Sequence, residues 1–171
     1  MLRSVLFNPF FLFIAKILDF IVWKIGNYFQ YCRIINHFPN AGKNLVFDKT
    51  TSFKYLENIE IGENVSIGPG VTIGAKSKVV LKDYVRISQN VIIETAGCDL
   101  DTDIPYKHKS SPVLLAENVW VGSNAIILGG VTIGKNSIIG AGAIVYKSVP
   151  ENSIVLPAIS STILNKRLQS K

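Results

Sequence analysis

Between Val91 and Leu115 the chain gathers the side chains with which it could do chemistry. The stretch VIIETAGCDLDTDIPYKHKSSPVLL holds Cys98, Asp99, Asp101, Asp103, Lys107, His108 and Lys109. An imidazole titrates near neutrality, which suits removal of a proton from a hydroxyl; the alternative for His108 is a solvated, inert loop histidine. A thiol can act as a nucleophile once cations such as Lys107 or His108 favour its thiolate. Metal chemistry has little to draw on, because His37 and His108 are the only histidines and one chain cannot supply a three-histidine site. Cys32 and Cys98 are far apart without CxxC spacing. They make neither a disulfide framework nor a zinc knuckle, and they fit a reducing cytosol.

The elements that must position these groups are written in a repeat. On both sides of the stretch an aliphatic residue returns every sixth position. Ile61, Ile67 and Ile73 are followed, after a two-residue insertion at AKSK, by Leu81, Ile87 and Ile93. Beyond the break come Leu115, Val121, Ile127, Ile133, Ile139 and Val145, completing twelve hexads. Two positions before the beat stand small or β-branched residues, among them Val65, Val71, Val79, Val85, Val91, Val119, Ala125, Val131, Ser137 and Ala143. Such a pair, two apart on one strand, points to one side. Three positions after the beat come Asn64, Gly70, Asn90, Asn118, Asn124, Gly130, Asn136 and Gly142, residue types that accept left-handed backbone angles cheaply. Six is a poor multiple of 3.6, and a corner every six residues leaves no room for an ordinary strand. The pattern predicts an all-β solenoid with three faces per turn and about four turns, its beat residues stacked inside. It divides the chain into a helical segment over 1–45, the solenoid over 46–149 with an excursion over 96–112, and a tail over 150–171.

Composition agrees with a folded chain: 171 residues, 48% hydrophobic and 18% charged. The net charge of +6 is spread over scattered Lys and Arg with no aromatic-basic stripe, so nucleic acid is not the expected partner. Anionic small molecules or a membrane surface are. The apolar run from Pro9 to Tyr31 reads as an amphipathic helix, with Lys16, Asp19, Asn27 and Gln30 in one sector. Lys16, Asp19 and Lys24 interrupt it too soon for a membrane span, and no small-x-small site marks a signal peptide. Its broad apolar face packs on protein or docks on a membrane surface.

The blocks IGENVSIGPGVTIG and VWVGSNAIILGGVTIGKNSIIGAGAIVYKSVPENSIV resemble the hexapeptide-repeat acyltransferases, over about Ile59 to Ile159. The likeness is greatest to the branch of galactoside, maltose, xenobiotic and exopolysaccharide acetyltransferases. The resemblance implies a left-handed parallel β-helix, a homotrimer, and acetyl-CoA bound between neighbouring helices, with no metal. It also implies that a loop leaves the solenoid where the rhythm breaks and walls the active site between subunits. A flat prism wall lacks the concave, polar place that catalysis needs.

In that branch a histidine opens the loop and acts as general base towards the acceptor hydroxyl; here TAGCDLD puts Cys98 at its position. Three readings follow: Cys98 marks loss of the base, Cys98 is a nucleophile that takes the acyl group, or His108 folds back to serve as base. The resemblance further implies that Trp120 and Ser123 line the acceptor and pantetheine end of a groove. It implies that Ala141 offers a backbone contact to the pantetheine arm and that Lys147, Lys166 and Arg167 lie near the nucleotide phosphates. A wall aromatic and a solvated lysine are the plain alternatives for Trp120 and Lys147. Gly68 stands where the branch has an acceptor-contacting Asn, so the acceptor is not copied from the galactoside or maltose enzymes.

The expected function is therefore acetyl-CoA-dependent O-acetylation of a sugar hydroxyl in surface polysaccharide biosynthesis, in the cytoplasm or at the inner face of the membrane. The alternative is a catalytically impaired trimer with a scaffold or binding role. A β-helical carbonic anhydrase would need three metal histidines, and the helical domain of a serine acetyltransferase cannot fit in about 45 residues.

Overall fold

Short inward pairs separated by residues that accept positive φ can only wind, and the computed structural model shows the winding. It describes residues 9–35, 41–99, 101–157 and 163–165. The chain divides into two compact units, Met1–Asn36 and His37–Lys171.

Among its described residues the first unit holds one helix, α1 (Pro9–Ile35). It starts at Pro9 as the sequence predicts and runs past Tyr31, since Cys32, Arg33, Ile34 and Ile35 include no helix breaker. Phe20 and Trp23 stack with ring centroids 6.2 Å apart, and Lys24 Nζ lies 5.9 Å from the Phe20 ring. These are the contacts that three- and four-residue spacing allows on a helix. Among the described residues no helix is long and apolar enough to cross a membrane.

The second unit is a parallel β-solenoid with three walls. The first wall stacks Val46–Phe47, Ser66–Ile67, Arg86–Ile87, Trp120–Val121, Ile138–Ile139 and Ser153–Val155. The second stacks Ser52–Lys54, Thr72–Gly74, Ile92–Glu94, Ile126–Leu128 and Ile144–Val145. The third stacks Ile59–Ile61, Val79–Leu81, Val113–Leu115 and Thr132–Ile133, with Val149 bridged to Ile133 above them. At the last turn Ile163–Asn165 runs antiparallel to Ser153–Val155 and covers the sheet edge.

This makes about five turns rather than the four expected. The extra coil lies mostly before Ile61, where the inward pairs are Leu45 with Phe47 and Thr51 with Phe53. Aromatic beat residues hide it from an aliphatic count. Every beat residue from Ile61 to Val145 is buried, as are all ten small or β-branched partners. All eight predicted corner residues have positive φ, from 56° at Asn90 to 87° at Gly130. Asn44, Tyr55, Tyr84 and Asn152 join them.

At the corner between the third and first walls the asparagines form a ladder. Asn44 Nδ2 donates to Asn64 Oδ1 at 2.9 Å, Asn118 Nδ2 to Asn136 Oδ1 at 3.1 Å, and Asn136 Nδ2 to Asn152 Oδ1 at 3.1 Å. Tyr84 occupies the rung between Asn64 and Asn118 and breaks the chain of amides.

Every departure from the six-residue step falls at one corner, between the second and third walls. Phe53 to Ile61 and Ile73 to Leu81 each take eight residues, and Ile93 to Leu115 takes 22. Ile127 to Ile133 then takes six and Val145 to Val149 four. The excursion thus leaves from a corner already widened in the two coils before it.

Asn136→Ala should lower stability by about 1–2 kcal/mol, because alanine carries the full cost of a left-handed backbone. Asn136→Gly should lose less, since glycine accepts that angle and forfeits only the ladder bonds. Denaturant unfolding checks both, and an alanine variant as stable as the glycine one would contradict the account.

Candidate active site

The excursion is not a shapeless loop. Ala96–Asp99 goes out, Lys107–Ser110 returns antiparallel, and the register pairs Ala96 with Ser110, Gly97 with Lys109, Cys98 with His108 and Asp99 with Lys107. Thr102 Oγ1 donates to Asp99 O at 2.8 Å and accepts from Lys107 N–H at 3.0 Å, tying the tip to both strands.

The base of this hairpin is pinned by Thr95, which is buried. Its Oγ1 donates to Gly74 O at 2.8 Å and accepts from Ser77 N–H at 3.0 Å. Ser77 and Ser110 share a hydroxyl bond at 2.7 Å, and Ser111 N–H donates to Thr95 O at 3.0 Å. The AKSK insertion therefore has a purpose that spacing alone did not reveal: it supplies the footing on which both hairpin strands stand. From the following coil Gly129 closes over the footing, where a Cβ would lie 2.5 Å from Thr95 O.

Residues opposite each other in an antiparallel pair share a face, with Cβ atoms about 4.5–5.5 Å apart. Cys98 and His108 therefore project together, with Ala96 and Ser110, and both are exposed. Lys107 and Lys109 project from the opposite face with Asp99, and Lys109 Nζ lies 3.4 Å from Asp99 Oδ1. Of the two residues expected beside Cys98, Lys107 and His108, only His108 is there.

The other predicted residues occupy different places. Trp120 sits on the outside of the first wall, half exposed, and its indole N–H donates to Ser88 Oγ at 3.2 Å. Ser123 and Ala141 stack at the corner between the first and second walls, where Gly142 N–H donates to Ser123 O at 2.8 Å. Gly142 has φ 73°, and nothing lies within 4 Å of where its Cβ would be. This corner is open enough for a slender chain to run against backbone. Lys147 is at the corner between the second and third walls, two coils beyond the hairpin, exposed, with Nζ 5.6 Å from the Tyr146 ring. Lys166 and Arg167 lie outside the described residues.

One chain therefore joins Cys98 to His108, and Trp120 to Ser123 and Ala141, without joining the two groups. The third wall stands between the hairpin's corner and the corner from which the strand of Trp120 starts. Sequence reasoning missed a hollow of about 390 Å³ beside Trp120, lined also by Tyr84, Arg86, Asn118, Asn136 and Ile138. The available signal was Tyr84, standing where neighbouring hexads have Asn or Gly.

The family model "Bacterial transferase hexapeptide (six repeats)" matches residues 112–147. A maltose O-acetyltransferase from Clostridium difficile 630 superposes with a TM-score of 0.67 and 30% identity, over 74% of this chain and 68% of that one. The chain belongs to the hexapeptide-repeat acetyltransferase family. The galactoside O-acetyltransferase of Escherichia coli K12 is 36% identical over 119 residues, 68% of this chain and 59% of the relative. A hexapeptide-repeat acetyltransferase of Vibrio cholerae, solved with acetyl coenzyme A, superposes with a TM-score of 0.72 and 25% identity, covering 80% of this chain and 75% of that one. This family member thus spans about three-fifths of the length of the curated relative it matches.

Thr95→Val keeps the shape of the footing and removes its hydroxyl, leaving the Ser77 N–H without its partner. The loss should be about 1–3 kcal/mol. Amide hydrogen exchange should quicken in residues 96–110 while the walls keep their protection. Unchanged exchange in the hairpin would contradict the pinning role.

Proposed function

We propose that the protein is an acetyl-CoA-dependent O-acetyltransferase acting on a sugar hydroxyl, with His108 as the general base. The observation that carries the reading is the register that sets His108 directly across from Cys98. The resemblance puts the family's base at position 98, and a cross-strand partner reaches nearly the same space. An imidazole that has left one strand is thus returned by the other.

Bound acetyl-CoA would supply a thioester carbonyl for the acceptor oxygen to attack. The chain's own groups do the rest. His108 accepts a hydrogen bond from the acceptor hydroxyl, takes its proton as the oxygen attacks, and gives that proton to the sulfur as the C–S bond breaks and coenzyme A leaves as its thiol. The open corner at Ser123, Ala141 and Gly142 fits a pantetheine arm lying against backbone, and Lys147 offers a cation to phosphate. Trp120 offers a ring face to the acceptor end. Because these groups stand apart from the hairpin within one chain, the complete site is built between neighbours in a homotrimer. The apolar surface of α1 supports a second subunit or the inner face of the membrane as its neighbour, and a polysaccharide precursor as acceptor.

Cys98 at the base position favours a second reading, an impaired trimer that binds acetyl-CoA without turnover. A thiol-release assay on a panel of sugars separates the two. If His108 is the base, His108→Ala costs about 100- to 10,000-fold while Cys98→Ala costs little. If the base was lost, neither matters and Cys98→His raises the rate. Acetyl added to Cys98 on incubation with acetyl-CoA alone, seen by intact-mass spectrometry, would instead make the thiol a nucleophile.

The assembly has its own check. Light scattering should give about three times the 18.8 kDa chain mass. A value near the single-chain mass at micromolar concentration would contradict a site shared between subunits.

A further inference from the structure

The hollow on the first wall differs from the rest of that wall in three respects, each traceable to a residue. Arg86 and Trp120 are directly paired across adjacent strands, with Ile138 next in line. The bond from the indole N–H to Ser88 Oγ holds the Trp120 ring towards Ser88. Tyr84, more than half exposed, flanks the same space from its corner.

Among the described residues Arg86 is the only cation lining the hollow, and it has no carboxylate partner there. The acids at the same corner are Glu63, Asp83, Glu117 and Glu151. Asp83 Oδ1 accepts from Glu63 N–H at 2.8 Å, Glu151 pairs with Lys135, and among the described residues none forms an ion pair with Arg86. A guanidinium next to Trp120 across the sheet, with no ion-pair partner among the described residues, matches the planar oxygens of a phosphate or carboxylate.

Tyr84 also leaves an acceptor exposed. In the ladder each asparagine's Nδ2 donates to Oδ1 of the next. Tyr84 has no amide to give, so Asn118 Oδ1 receives no donor among the described residues. A tyrosine at φ 60° is costly for a bulky residue, and such strain collects where ligands bind. Two aromatic faces, one cation and one free carbonyl oxygen thus surround a space in the size range of small-molecule sites.

We propose that this hollow binds an anionic sugar, one carrying a phosphate or a carboxylate, as the acceptor. The anion pairs with Arg86, the ring lies against Trp120 and Tyr84, and a ring hydroxyl donates to Asn118 Oδ1. This rests on the acetyltransferase reading only in naming the ligand as acceptor; the binding itself does not depend on it.

The test is calorimetry on the full chain at low salt, with saturating coenzyme A. Methyl glucoside, glucose 6-phosphate, glucuronate and inorganic phosphate are the probes. At least one anionic sugar should bind about tenfold more tightly than methyl glucoside, as a charge-assisted bond implies. Which of the two does so names the anion. Arg86→Gln should abolish that preference and leave acetyl-CoA affinity unchanged. Tyr84→Asn should restore the ladder, raise the melting temperature and weaken every sugar. The proposal is overturned if neither anionic sugar binds, if methyl glucoside binds as tightly as both, or if the preference survives Arg86→Gln. Inorganic phosphate binding as tightly as glucose 6-phosphate would also overturn it, because the ring would then contribute nothing. A protein that binds an anionic sugar but not acetyl-CoA would refute the acetyltransferase reading and leave this one standing.

Discussion

The constraint on which the rest depends is the hydrogen-bond register between successive coils. Ser66 N–H donates to Val85 O at 3.0 Å, Arg86 N–H to Val119 O at 2.9 Å, and Trp120 N–H to Ser137 O at 3.0 Å, and so up the wall. Each such bond requires the coil above to repeat the coil below residue for residue. The inward pairs then stack into a core in which each buried Val or Ile contributes about 1.5–3 kcal/mol. A strand with one extra residue would turn that side chain outward and break the ladder on both sides. Insertions are therefore confined to corners, and here one corner takes them all.

That confinement explains where chemistry can sit. A perfect prism offers flat walls and no concave place. The chain departs from perfection twice in one coil: Tyr84 enters a corner made for asparagine, and the hairpin leaves after Thr95. The first departure opens a hollow beside Arg86 and Trp120. The second raises Cys98 and His108 on strands whose footing is tied to the walls by hydrogen bonds through Thr95 and Ser77. That footing matters because a base helps only when held within hydrogen-bond reach of the proton it takes. The two departures stand at different corners, and neither alone is a complete site.

Much of this was legible in the residues. The hexads gave the walls, the inward pairs and eight corner angles, because each rests on local preferences that the register reinforces. The first coil escaped notice because Phe47 and Phe53 replace the aliphatic beat, and the helix outran its expected end because nothing after Tyr31 stops it. The pairing of Cys98 with His108 was not legible. Ten residues separate them, no Asn-Gly or similar turn fixes a hairpin there, and a shift of one position would have set Lys107 or Lys109 against Cys98 instead. Tyr84 was visible as an irregularity, but only the ladder around it shows what its presence removes.

The hairpin that sets position 108 across from position 98 can be measured directly by a cross-link. Cysteines bridge when their Cα atoms are about 4.4–6.8 Å apart with side chains on a common face. Under mild oxidation His108→Cys should form a bond that peptide mapping locates between 98 and 108 of one chain, while Lys107→Cys and Lys109→Cys should not link to Cys98. A link from 107 or 109, with none from 108, would place the imidazole on the wrong face and contradict the account.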